Sequence, residues 1–346
     1  MISKNKATIF LFISILFFYA GCNANSRRYS VVSATNIQLG TLIELTIHKG
    51  GSNDILREAF ELIFALEEKL SRNWQTSEIS EINRLAGISP VKVSDNTFFL
   101  LERSIYYSEL SDGFFDITIG PVVSLWGIGT PDARVPSANE ISAALELVGY
   151  RRIRLMPAGN MVFLEERGME IDLGGIAKGF IADKVYKLFR ERGVTSAIIN
   201  LGGDVRLLGR RPDNRLFRIG IQDPFERRGV HLGIFEGEDI SIAASGIYQR
   251  YFEEGGKRYH HIFNPKTGYP IDNDIAGLSV FTALSIDADA LATVLFALGA
   301  KGALDFAEEL DGVEVIIVTN DKKIFLSSGV GSSFSLANSD FTIVKN

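Results

Sequence analysis

The sequence predicts an α+β fold in which mixed, mainly antiparallel sheets pack against helices. Segments of strand-type alternation outnumber segments of helical periodicity. Neighbouring strand segments are mostly joined by hairpin-length turns rather than by the helices a repeating βαβ chain requires. The 346 residues are 46% apolar with one cysteine, enough for a core that holds without disulfides. The formal net charge of −6 comes with no basic stripe, so no nucleic-acid partner is expected.

The chain opens on a targeting pattern. Lys4 and Lys6 precede an apolar run over 7–20, and Ala20-Gly21 are the small residues of a processing site. That run falls short of the roughly 20 apolar residues of a spanning helix, so 1–21 reads as a cleaved signal. Tyr19-Ala20-Gly21-Cys22 resembles a bacterial lipoprotein processing box, with Tyr19 where a small or branched aliphatic residue is common. The resemblance implies lipidation at Cys22, export, and attachment to a bacterial membrane with the protein facing the periplasm. The alternative is an ordinary secretory signal followed by an incidental buried cysteine. Against it, a lone thiol in an oxidising compartment has no disulfide partner and is a liability unless modified.

Residues 22–28 then form a polar tether, 29–330 the folded domain and 331–346 a loose tail. Within the domain, 29–48 alternates as two strands turning at Leu39-Gly40-Thr41. A helix over 53–70 follows, with Ile55, Leu56, Ala59, Leu62, Ile63, Leu66 and Leu70 at helical spacing behind an Asn53-Asp54 cap. Helical patterns over 95–110 and 138–148 flank Gly113-Phe114-Phe115-Asp116. Strands are expected at 153–156, 161–164, 196–200, 205–208, 217–221, 232–235 and 240–243, interrupted by helices over 175–192 and 285–298.

Four segments carry candidate chemistry. In the first, Asp172 passes through Gly174-Gly175 into a helix with Lys178 in its first turn; it reads either as a phosphate-binding helix start or as a tight turn with Lys178 solvated. In the second, Asn200-Leu201-Gly202-Gly203-Asp204 and then Gln222-Asp223-Pro224 form glycine and carboxylate turns that are equally hairpin chemistry. In the third, Ser245-Gly246 leads into His260-His261-Ile262-Phe263-Asn264-Pro265, where adjacent histidines on a strand point to opposite faces. A histidine near neutral pKa beside a rigid turn is a candidate general base. In the fourth, Asp289 and Thr293 stand four apart on a helix and offer hard oxygens suited to Mg²⁺, or simply cap and pack it; Asp287 would cap the helix or support the ligands from behind.

Taken in order, these segments resemble the FAD:protein FMN transferase family, the ApbE-type flavin-transfer lipoproteins. The resemblance extends over Leu39-Gly40-Thr41, 71–83 and Gly113 to Pro121 and covers nearly the whole mature chain. It implies a T-fold-like, two-part architecture with FAD in the cleft between two intimate subdomains. It also implies Mg²⁺-dependent transfer of FMN from FAD to a Ser or Thr hydroxyl of membrane flavoprotein acceptors, such as redox-pump subunits, with hydrolysis to FMN and AMP as a variant. By motif, Gly175, Asp289 and Thr293 would hold the metal. Leu39, Asn73, Phe114, Phe115, Asp116, Asp172, Lys178, Ser245, Gly246 and Ile262 would meet FAD, and His261 would be the base. Asn264 stands where an Asp often precedes the proline, and Asn73 where an aromatic is frequent. A non-catalytic flavin-binding lipoprotein is the competing reading; it has no use for Asp289, Thr293 and His261.

Overall fold

The computed structural model describes residues 31–344; the signal, Cys22 and the tether lie outside the described residues. Its frame is a nine-stranded sheet in the order Val32–Gln38, Thr41–Lys49, Ser196–Leu201, Asp204–Leu208, Ser241–Gly246, Ile275–Thr282, Glu314–Thr319, Lys323–Leu326 and Thr342–Ile343. Every neighbouring pair is antiparallel except the last, as expected of a mainly antiparallel sheet. The first hairpin turns on Leu39 and Gly40, at φ 54° and 66°, a left-handed pair that matches strand twist. Glu67, on the first helix, accepts the Leu39 N–H at 2.9 Å and holds this tip in place.

The central strand Ile275–Thr282 is buried at all eight positions, because both faces of the sheet are covered. Helices Ala177–Glu191 and Ser285–Ala297 lie on one face. The three-stranded sheet of Phe217–Gln222, His231–Gly237 and Phe334–Leu336 lies on the other, where Phe235 meets Phe281 at 4.3 Å between ring centroids. Ser285–Ala297 is apolar almost all round and nearly wholly buried, so its one buried carboxylate, Asp289, is the anomaly on that helix.

Three expectations need correction. The segment over 331–346 is no loose tail: Phe334–Leu336 pairs with His231–Gly237, Thr342–Ile343 pairs with Lys323–Leu326, and Phe334 and Phe341 are buried. Its apolar residues are too sparse to show periodicity, yet Phe334, Leu336 and Phe341 pack into places prepared by earlier strands. The first long helix, Asn53–Leu70, is capped by Ser52, whose hydroxyl accepts the Ile55 N–H, and not by Asn53-Asp54. Asp287 does not cap Ser285–Ala297; it turns to Arg103 and Tyr107 on the neighbouring helix Asp95–Leu110. The Ser285 and Ile286 N–H groups donate instead to Asp183, at 2.9 and 3.0 Å.

Candidate active site

A cleft of about 2040 Å³ opens beside the sheet, roughly twice the upper end of common small-molecule pockets. Every flavin, metal and base residue expected from the sequence lines it except Gly246. A Cβ on Gly246 would lie 2.2 Å from the Tyr248 ring, so that ring covers it, while Ser245 before it reaches the cleft.

One wall is built by the close approach of two helices. A Cβ on Gly179 would fall 2.1 Å from the Ser285 carbonyl oxygen, so only glycine lets Ala177–Glu191 and Ser285–Ala297 meet there. The approach brings the Asp289 carboxylate onto the Gly179 N–H at 2.9 Å. The helix start expected to hold a phosphate therefore already holds an anion of the protein's own. Lys178, one residue earlier, is ion-paired and only partly exposed: its Nζ donates to Asp289 at 3.1 Å and closely to Asp204. Burial alone would discharge this lysine, but the two carboxylates outweigh it and hold the ammonium above the ordinary lysine range. Burial raises the Asp289 carboxyl above the ordinary carboxylate range despite the pull of Lys178, and the like charge of Asp204 adds to the rise.

Thr293 stands one turn beyond Asp289, its Oγ1 3.1 Å from where a Cβ on Gly175 would sit. Its hydroxyl makes no hydrogen bond among the described residues, so an oxygen is left over beside a carboxylate and a backbone turn. Hard oxygens of this kind suit Mg²⁺. No set of three His, Cys, Asp or Glu suited to a metal exists among the described residues, so a site here depends on hydroxyl and carbonyl donors.

Asp172 organises the adjoining turn. Its Oδ1 accepts the Gly174 N–H at 2.8 Å, and its Oδ2 accepts from Arg72 at 3.0 Å. Arg72 also reaches Glu170 at 2.6 Å and the Gly120 carbonyl at 3.2 Å, which ties the loop carrying Asn73 to the opposite side of the cleft. Asn73 is exposed there and, among the described residues, engages only its N–H, which donates to Ser71 Oγ. Phe114 lies under the Lys266 ammonium at 4.2 Å and Phe115 is buried. Asp116 departs from its expected role: its carboxylate accepts from Thr118 N, Thr118 Oγ1 and Tyr150 N at 2.8, 2.6 and 2.9 Å. Three of its roughly four acceptor positions are thus used inside the fold, and Asp116 lines the cleft with one acceptor position and its backbone left over.

The histidine segment forms the facing wall. His261 donates its N–H to the Arg250 carbonyl at 3.2 Å, and Nδ1 lies 3.3 Å from the same oxygen. A carbonyl only accepts, so Nδ1 carries the proton and Nε2 keeps its lone pair. Burial first, then Arg250 and His260, push the imidazolium pKa down to about 4, below the near-neutral value expected from sequence. His260, the last residue of the strand Lys257–His260, faces away from the cleft, with Nε2 2.8 Å from the Ile271 carbonyl. Asn264 preserves the loop, its Oδ1 accepting the Lys266 N–H at 2.8 Å as an aspartate would. Fully buried Trp126 pins the same loop through its Nε1–H to the Gly268 carbonyl at 2.9 Å. Ile262 completes the wall.

A lowered histidine pKa has a kinetic consequence. The acid limb of kcat/KM should fall near pH 4, since the base form persists down to its depressed pKa. A limb centred near 6.5 in a pH-rate profile would show that His261 is not the titrating group.

Two contributors were not singled out as site residues from the sequence. Asp204 stood in a glycine turn indistinguishable from a hairpin, and Arg72 joins partners about 100 residues away with no local signature.

Fold and site together define a cleft-bearing α+β enzyme with a histidine on one wall and an acid–lysine–hydroxyl cluster on another. The chain belongs to the ApbE family, whose model matches residues 39–317. A FAD:protein FMN transferase of Klebsiella pneumoniae is 36% identical over 316 residues, covering 91% of this chain and 97% of that protein. The ApbE protein of Thermotoga maritima superposes with a TM-score of 0.81 at 29% identity, covering 88% of this chain and 99% of the other. The flavin transferase ApbE of Vibrio cholerae does so with 0.79 at 29%, covering 88% and 100%.

Proposed function

We propose that this protein transfers the FMN half of FAD to a Ser or Thr hydroxyl of a flavoprotein acceptor. The observation that carries the reading is the free Nε2 lone pair of His261 in a cleft shared with Lys178, Asp289 and Thr293. The acceptor oxygen attacks the phosphorus of the FMN half, the bond to the AMP oxygen breaks, and the acceptor proton passes to His261. Water in place of the acceptor gives FMN and AMP. Lys178, held between Asp204 and Asp289, offsets the charge of those carboxylates beside the pyrophosphate. Gly175 carbonyl, Asp289 and Thr293 would hold Mg²⁺, which when bound neutralises charge on phosphoryl oxygens.

The test is incubation of the protein with FAD, with and without Mg²⁺, followed by separation of the products. AMP release only with Mg²⁺ is expected. FAD that binds without yielding AMP under any condition would leave the non-catalytic binder in its place.

Asn73 bears on the balance between transfer and hydrolysis. An aromatic side chain there would stack on the ligand, worth about 1 kcal/mol. Asn73→Tyr should therefore retain FAD longer and hydrolyse it more slowly, by about fivefold for that energy; unchanged retention and turnover would remove stacking from the account.

Lipidation at Cys22 would hold the enzyme beside membrane acceptors at high effective concentration. A Cys22→Ser form should keep FAD chemistry in solution but flavinylate membrane proteins poorly in cells. Equal flavinylation, followed by in-gel flavin fluorescence, would show the anchor to be dispensable.

A further inference from the structure

The second histidine of the pair has no part in the chemistry above, yet its environment is as constrained as that of the first. His260 is 5% exposed. Its Nε2 lies 2.8 Å from the Ile271 carbonyl, which can only accept, so Nε2 carries the proton. In the neutral ring Nδ1 is then the acceptor, and it takes the Ile262 N–H at 3.3 Å. The Ile262 carbonyl in turn accepts the Ile271 N–H at 2.9 Å. His261 therefore sits between one residue whose ring is fixed and another whose backbone is held on both sides. The His260 ring also meets Phe296 edge-on, with centroids 5.7 Å apart, and Phe296 belongs to the same buried helix as Asp289 and Thr293.

We propose that His260 is a positioning residue: its Nε2–H on the Ile271 carbonyl leaves Nδ1 to hold the Ile262 N–H, and that second bond sets the direction in which His261 faces the cleft. The proposal rests on the reading of His261 as the base. Burial lowers the His260 pKa, which keeps the ring neutral and its Nδ1 free to accept at neutral pH. The two histidines thus carry opposite tautomers, each fixed by a backbone carbonyl, and only the one facing the cleft keeps an unused lone pair. A cavity of about 140 Å³ borders the His260 ring, so an amide side chain fits in its place.

The chain has four histidines, so ¹⁵N-histidine labelling gives a spectrum simple enough to assign. Long-range ¹H–¹⁵N correlation at neutral pH should show Nε2–H for His260 and Nδ1–H for His261; Nδ1–H at His260 would overturn the proposal. Two variants separate the ring's two bonds. His260→Asn keeps an acceptor where Nδ1 stood, whereas His260→Gln keeps a donor where Nε2 stood. With FAD and Mg²⁺ as the probe, His260→Asn should retain kcat within about threefold. His260→Gln should lose on the order of ten- to a hundredfold in kcat at unchanged KM, the scale of a misplaced catalytic group. A residue that merely fills the core would make both variants lose alike, and that result would also overturn it. If His261→Ala keeps the full rate, the base reading fails, while the tautomers of His260 still report on the bridge. Should either variant fail to fold, the wild-type spectrum decides alone.

Discussion

Replacing His261 with alanine should lower AMP release from FAD, and FMN transfer, by about 10²- to 10⁴-fold, the usual contribution of a positioned base. FAD affinity, read from quenching of flavin fluorescence, should stay nearly unchanged. The reason lies in the bonding: the imidazole makes one long contact, to the Arg250 carbonyl, and otherwise offers an unused Nε2. Its removal takes away a proton acceptor without emptying a structural position. A variant that kept a tenth or more of the rate would show that the acceptor is activated by another group.

The second large effect concerns Lys178. In Lys178→Met two carboxylates, Asp204 and Asp289, face each other in a largely buried wall without the ammonium that now lies between them. Breaking a buried pair on one side costs about 3–5 kcal/mol. For a domain of this size that corresponds to a fall in Tm of the order of 10 °C in metal-free protein. Added Mg²⁺ should restore part of the loss, because a divalent cation supplies the missing charge at Asp289, so the metal-induced rise in Tm should exceed that of the unaltered protein. An equal rise in both would mean that the metal does not bind where the lysine reaches.

Most of the fold was legible locally. Strands Ile153–Met156 and Met161–Leu164 and the helix Asp95–Leu110 form where alternation and helical spacing place them, because each pattern is satisfied within a few residues. The edges failed where a bond crosses the chain. Capping of Ser285–Ala297 comes from Asp183 on another helix, and pairing of Thr342–Ile343 needs a strand laid down earlier. The cleft residues were identifiable by type, since glycine pairs, carboxylates and adjacent histidines are unusual in those contexts. Their roles were less so. Asp116 lines the cleft but also accepts from Tyr150 N, 34 residues away, which no spacing along the chain reveals.

By itself the sequence determined the α+β class, most elements before residue 250 and the opposed sides of His260 and His261, because backbone propensity and side-chain alternation are local. The strands Ile275–Thr282 and Glu314–Thr319 and the helix Gly299–Glu308 were not among the expected elements. Tertiary structure alone decided that Lys178 is ion-paired between Asp204 and Asp289, and that Arg72 reaches Glu170 and Asp172. It likewise set the His261 pKa near 4. Those outcomes depend on burial and on charges brought together across about 26 to 111 residues of chain, and both quantities exist only once the sheet and its two covering helices have closed.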